Sequence, residues 1–494
     1  MRNRPSGSGG LRSVGVLPRG VVWAAFGLLI LAACVPPPPF DTGLTPVTAV
    51  PSPDMTDPQV LCAAVEAAWN TDWPAVIRAL EVLLERQAVC PDGQPTGEKL
   101  YAAHYHYGQS LAAEGRTAEA IAEYQAALQV RSGRLEALRA LRELGIFTPT
   151  PLLTCTPEEI AAARAALLPY APSSMTGFVG VQGTGFTLSG AEYRVRGVNY
   201  YPARYPWRRF LTETAPAEVQ LELALLRDAG FNTLRLFLWH DALFTCPGSG
   251  AVPIPESFAR LDAIIHAAAA QGFRLILTLN DLPDLTQYPL YTNPLHTQEQ
   301  ITFLVERYRD EAAILAWDLR DEGDLDYRSV REGGRIFDRE AVLTWLAGAA
   351  EAVRGLDPHH LITAGWSQDA EATIPYVDFV SFHHWDDVIR LRARVAVLRS
   401  LTEKPILLEE FGYSTYYFDP AEQSRLLREA IQAAEYDGLA GWLIWTAFDF
   451  PLDATCIPPA CPSLDSPEHH FGLWQADYTP KVAASVVQVL AAQP

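Results

Sequence analysis

A chain of 494 residues, 49% of them hydrophobic and 19% charged, can bury a large core and is long enough for two or more domains. Its formal charge of −20 and pI near 5.0 argue against nucleic acid as a partner, because phosphate-backbone binding needs a basic face that releases counterions. A neutral ligand such as a sugar suits this balance better.

Arg2, Arg4, Arg12 and Arg19 precede an apolar run over 21–33, the order of an exported signal segment. Leu31-Ala32-Ala33-Cys34 resembles a bacterial lipobox. That resemblance implies cleavage before Cys34, lipidation of this cysteine and loss of residues 1–33, leaving the mature chain anchored to the cell membrane. An uncleaved anchor is the alternative, for which the run is slightly short. Both readings put the folded part outside the cytoplasm. Residues 34–57 are rich in Pro, Thr and Ser and read as an extended tether.

Six cysteines follow Cys34, an even number that suits an oxidising compartment. Six cysteines allow fifteen connectivities; local pairing would join Cys62 to Cys90 and Cys456 to Cys461, leaving Cys155 for Cys246. No CxxC or His/Cys cluster has zinc spacing, so neither metal nor cofactor is expected.

Residues 58–150 are Ala- and Leu-rich with helical spacing, broken by turn signals at Asn70-Thr71-Asp72, Pro91-Asp92-Gly93 and Gly115-Arg116. Tyr107-Gly108, Leu111, Gly115, Ala120, Tyr124 and Ala127 fall at the spacing of a tetratricopeptide repeat, which this segment resembles. The resemblance implies antiparallel helices brought close by small residues, with Tyr124 filling the gap. Such a segment is either a platform for the next domain or a groove for a protein partner.

From 176 to 494 the texture changes to short β-rich runs alternating with helical stretches. The runs are 194–198, 233–238, 274–279, 314–319, 361–363, 379–382, 405–408 and 441–445. Eight strands alternating with helices is the count of a (β/α)8 TIM barrel, an α/β fold here preceded by a small all-α domain. The stretch FVGVQGTGFTLSGAEY before the first run reads as a hairpin across the barrel's bottom.

Side chains at the C-terminal ends of barrel strands converge on one mouth. They are Asn199, Tyr200 and Tyr201; Arg235 with Trp239 and His240; Asn280 and Asp281; Asp321 and Glu322; Trp366; His383, His384 and Trp385; Glu410; and Trp445. Aromatic faces stack on sugar rings and carboxylates bond hydroxyls or exchange protons, so the set describes a carbohydrate cleft. Asp318 is expected to be a buried ion-pair partner and Asp324 a surface charge. His383, His384, Asp386 and Asp387 straddle a strand end and lack metal-site spacing.

Trp317-Asp318-Leu319-Arg320-Asp321-Glu322 and Lys404-Pro405-Ile406-Leu407-Leu408-Glu409-Glu410-Phe411-Gly412 resemble the acid/base and nucleophile strands of the clan A retaining glycoside hydrolases. The resemblance is greatest to glycoside hydrolase family 5, with its cellulases and β-mannanases. It extends to Arg196-Gly197-Val198-Asn199-Tyr200, Asn232-Thr233-Leu234-Arg235-Leu236, Ser381-Phe382-His383-His384-Trp385, Gly441-Trp442-Leu443-Ile444-Trp445 and the closing Phe471-Gly472-Leu473. It implies hydrolysis of a β-linked mannan or glucan by double displacement, with Glu410 as nucleophile and Glu322 as acid/base.

On the same resemblance Arg235 steadies the nucleophile and holds its pKa low, Trp445 floors the subsite beside the scissile bond, and Trp366 is the second stacking candidate. Because successive strand residues face opposite ways, only one of Glu409 and Glu410 is expected to aim at the centre. Two positions depart from the family. Asp321 replaces an asparagine that donates to the sugar 2-hydroxyl, and Trp385 replaces a tyrosine that bonds the nucleophile. These departures keep open a catalytically impaired barrel that binds carbohydrate on a surface scaffold.

Overall fold

The computed structural model describes residues 57–131, 135–145, 152–281, 285, 289–291, 293–328, 337–456 and 461–492. Residues 1–33, expected to be a signal segment, Cys34 and almost all of the expected tether lie outside them. Among the described residues no helix is long and apolar enough to cross a membrane.

Five helices come first: α1 (Pro58–Ala68), α2 (Trp73–Glu85), α3 (Thr96–Ala113), α4 (Thr117–Val130) and α5 (Leu135–Glu143). Asp57 and Asp72 cap the first two through their side chains, with proline in the first turn of each. Small residues set the α3–α4 approach: a Cβ at Gly108 would lie 2.6 Å from the Tyr124 ring. The expected pairing Cys62–Cys90 ties α1 to the turn before α3, and Leu464 packs on this helical core.

The barrel strands are β1 (Val195–Asn199), β2 (Thr233–Phe237), β3 (Arg274–Thr278), β4 (Ile314–Asp318), β5 (Leu361–Thr363), β6 (Val380–His384), β7 (Ile406–Phe411) and β8 (Gly441–Ile444). All neighbours are parallel, in the order β5-β4-β3-β2-β1-β8-β7-β6. A parallel bridge between Trp366 and Phe382 and the bond from Asp378 N to Ile362 O join β5 to β6 and close the ring. The eight strands expected from the sequence are all present, and the fold is a TIM barrel.

Inside the ring, Val195, Ile276, Leu315, Ala316, Phe379, Leu407 and Leu443 form an apolar plug. The hairpin strands Val179–Gln182 and Gly185–Leu188 add Val179 and Phe186 to it, with Phe186 edge-on to Phe379 at 5.0 Å. This is the expected bottom cover. The other two cysteine pairs form as the spacing suggested, Cys155 with Cys246 and Cys456 with Cys461.

Two strands run further than their apolar residues indicated. β6 continues through His383 and His384, and β7 through Glu409, Glu410 and Phe411. Polar side chains facing a barrel's mouth satisfy one another across the ring, so the backbone ladder has no reason to stop at the last apolar residue. Lys404 prepares the entry to β7, donating to the carbonyls of Ile374 and Val377 at 2.6 Å each.

Candidate active site

Arg235, fully buried at the centre of β2, organises the mouth. Its guanidinium donates to Asp318 Oδ2 at 2.5 Å, to Asp321 Oδ1 at 2.7 Å, to Asn199 Oδ1 at 3.2 Å and, closer still, to Glu410 Oε1. Asp318 also accepts from Thr278 Oγ1 and from the Gly365 amide. It is the buried ion-pair partner expected.

The chain leaves β4 in a tight turn. Glu322 adopts φ +43°, a left-handed conformation costly for a residue with a Cβ, while its amide bonds Gly365 O at 2.7 Å. That geometry swings its carboxyl to His383 Nδ1, 3.1 Å away. The same nitrogen lies 3.4 Å from Glu410 Oε2. Those two carboxyl oxygens are therefore no farther apart than the sum of the distances, about 6.5 Å.

Glu410 reaches the mouth because β7 is bulged. Phe382 pairs with Leu408 and then His383 with Glu410, so Glu409 is an extra residue in the ladder. Contrary to simple alternation, both glutamates approach Arg235: Glu410 through a hydrogen bond and Glu409 at 3.8 Å from Nε. Gly412, just after the strand, packs on the Trp445 carbonyl where a Cβ would overlap it.

Electrostatics follow from crowding. Asp318, Asp321, Glu322, Glu409 and Glu410 surround one guanidinium and one imidazole, so full ionisation would leave uncompensated negative charge in a buried volume. Burial alone would push the His383 imidazole down, but Glu410, Glu322 and Asp321 outweigh it and hold the group up, at about 10. Burial raises the Asp321 carboxyl despite Arg235 and His383. Glu410 is also raised well above the carboxylate range, by burial first and by Asp321 and Glu322 next. The arginine opposes this shift without reversing it, so the expected low pKa is corrected. Asp321, His383 and Glu410 offer ligand atoms within 4.8 Å of one another, yet Arg235 already occupies both acids.

The structure thus brings together Arg235, Asp321, Glu322, His383 and Glu410. Trp445 follows β8, half-buried, with its ring 5.7 Å from Phe237 and its Nε1 donating to Glu468 at 3.3 Å. Trp385 lies on the surface, 43% exposed and edge-on to Phe471 at 5.7 Å. The remaining sequence candidates do not line the cleft. Asn199 is fully buried and donates to the carbonyls of Glu409 and Ile444, splinting β1 to β7 and β8. Tyr201 is fully buried between Trp239, whose Nε1 donates to its hydroxyl, and Asp281, which accepts from it.

Trp366 is likewise buried, beside Tyr327, and offers no face to a sugar. His384 points the other way from His383 and bonds Asp387 O at 2.9 Å. His240 bonds Leu279 O through Nε2, and Asn280 donates its Nδ2 to Leu319 O. Asp324 is buried rather than exposed, because it collects the amides of Ser367, Gln368 and Asp369. Glu468 was missed. It stands in a single 3-10 turn, Pro467–His469, too short to carry a periodic signal, and its electrostatic reach extends to Glu322.

Residues 207–447 match the cellulase (glycosyl hydrolase family 5) family model. The barrel is a glycoside hydrolase domain, similar to those of family 5. The chain is 26% identical over 334 residues to a probable mannan endo-1,4-beta-mannosidase C of Aspergillus terreus, covering 54% of this chain and 79% of that one. It is 26% identical over 321 residues to mannan endo-1,4-beta-mannosidase A of Podospora anserina, covering 54% and 81%. Among solved structures, the endo-1,4-beta-mannanase of Rhizomucor miehei superposes with a TM-score of 0.51 at 20% identity, covering 64% of this chain and 98% of that one. A GH5_18 protein of Streptomyces cattleya in complex with GlcNAc gives 0.52 at 18% identity, covering 61% and 81%. These two likenesses speak for the fold. As a glycoside hydrolase the chain is an enzyme.

Proposed function

We propose that this glycoside hydrolase cleaves β-linked mannan-type glycans with retention of configuration, Glu410 acting as nucleophile and Glu322 as acid/base. The observation that carries the reading is that Glu322 and Glu410 meet at one nitrogen of His383. The resulting limit of about 6.5 Å on their separation fits a retaining pair, at about 5–5.5 Å, better than the wider inverting arrangement. Mannan as the substrate is taken from the names of the curated relatives.

In the first step an oxygen of Glu410 bonds the anomeric carbon while the glycosidic oxygen leaves with the proton of Glu322. In the second, water attacks that carbon, yields its proton to Glu322 and frees the Glu410 carboxylate. Arg235 and His383 compensate the nucleophile's charge before attack and on its return. Trp445 is the stacking surface, oriented through Glu468. NMR of the products from a β-mannan oligosaccharide is expected to show the β-anomer first; initial α-anomer would overturn the reading.

The same proposal covers the ends of the chain. Export through residues 1–33 and lipidation at Cys34 would tether the enzyme outside the cytoplasm, a location that the three disulfides favour. The tetratricopeptide-like helices then serve as a platform or as a groove for a protein partner. Cys34→Ser is expected to abolish lipid labelling and release the enzyme from membranes.

A further inference from the structure

Glu409 is left over from this chemistry, and its surroundings are unusual. It is fully buried, and no guanidinium, imidazole or amide N–H comes within hydrogen-bond distance of its side-chain oxygens. Asp318, equally buried, accepts from Arg235, Thr278 and the Gly365 amide. Both carboxyls sit beneath the same mouth, but only Asp318 has the donors that stabilise a charged carboxylate away from water.

The groups facing Glu409 come from several strands of the barrel. Arg235 Nε on β2 lies at 3.8 Å and His383 Nε2 on β6 at 4.0 Å, ion-pair distances without hydrogen bonds. Asp318 on β4 faces it as a like charge, and the neutral hydroxyl of Ser381 on β6 is its one hydrogen-bonding neighbour. Glu410 follows it on its own strand, and Asp321 shares His383 Nε2 with it at 3.8 Å. Gly365, after β5, leaves the space it occupies, since a Cβ there would overlap Glu409 Oε2.

We propose that Glu409 is a positioning residue kept as the neutral acid while the enzyme works, so that Arg235 and His383 spend their charge on Glu410 and Glu322. The proposal rests on the assignment of those two as the reacting pair. Burial lifts the Glu409 carboxyl to about 7, against the pull of Arg235 and His383. Below that pH it is neutral and leaves the two cations to the residues above. Once ionised, it adds negative charge beneath the cluster and makes the reacting carboxyls hold their protons more tightly. A permanently neutral side chain at this position therefore leaves the acid limb of the pH profile in place. It moves the basic limb, where Glu322 gives up its proton, to lower pH.

The test is the kcat/KM–pH profile of Glu409→Gln on a β-mannan oligosaccharide. The expected result is a fall of about threefold at the optimum, an unmoved acid limb and a basic limb lowered by about half a pH unit. A uniform loss at all pH values would make the residue merely structural, and a shift of both limbs would mean that it is charged throughout; either overturns the proposal. Infrared spectra of the wild type supply a readout independent of turnover and of the variant's folding. They are expected to show the carbonyl stretch of a buried, weakly hydrogen-bonded protonated carboxyl, lost as pH rises through about 7. Absence of that band overturns the proposal even if Glu410 is the nucleophile, while full activity of Glu410→Gln would instead overturn the functional reading.

Discussion

The ends of β4 and β7 each deliver neighbouring carboxyl groups to one mouth, and they do so by different backbone devices. β4 ends on Asp318, and the turn beyond it, with Glu322 at φ +43°, aims Asp321 and Glu322 separately. Each of these acids then finds its own partner among Arg235, Thr278 and His383. β7 keeps its ladder and inserts a bulge, which turns Glu410 to the mouth but leaves Glu409 dry beneath it. A turn can place several acids independently. A bulge places one and strands its neighbour, whose lowest-energy state is then uncharged.

The largest break in this comparison is at the bulge. Glu410→Gln is expected to lower kcat by about 10⁶-fold, as loss of a nucleophile does. Progress curves on oligosaccharides check this. At the turn, Glu322→Gln is expected to cost about 10²–10⁴-fold. The loss should shrink on aryl glycosides whose leaving group needs no proton, which a comparison of natural and activated substrates reads directly.

Gly365→Ala pushes a methyl against Glu409, His383 and Arg235 at once. Displacing that platform by a fraction of an ångström is expected to cost about 10²-fold in kcat with a smaller change in KM. The smallest effect is at Asp321. Replacing its charge by Asp321→Asn removes a group that holds the Glu410 pKa up. The nucleophile then ionises at lower pH, and the acid limb of kcat/KM is expected to move down by about one unit. An upward shift would show that the pull of Asp321 on Arg235 matters more than its repulsion of Glu410.

Much of this was legible in the residues. The eight strands announce themselves as short apolar runs, and the polar residues within or just after them include Arg235, Glu322, His383 and Glu410. What was not legible depends on loops and on local departures from a regular ladder. Asn199, Tyr201 and Trp366 stand at strand ends like the true site residues, but neighbouring side chains bury them and use their polar groups. Asp324 is polar and follows a strand, yet it caps three amides of a distant turn. A bulge has no sequence period, so Glu409 was assigned to the outer face. Nor could pairwise reasoning foresee that one arginine would not hold Glu410 low among so many carboxyls.

Glu409 and Glu410 are adjacent, chemically identical and both near Arg235, so the assignment that matters most is which of them bonds sugar. Trapping the glycosyl-enzyme with a fluorinated β-mannosyl inactivator and fragmenting the labelled peptide by mass spectrometry separates the two directly. The geometry predicts the sugar on Glu410. A label on Glu409, or stoichiometric inactivation with the label elsewhere, would contradict it.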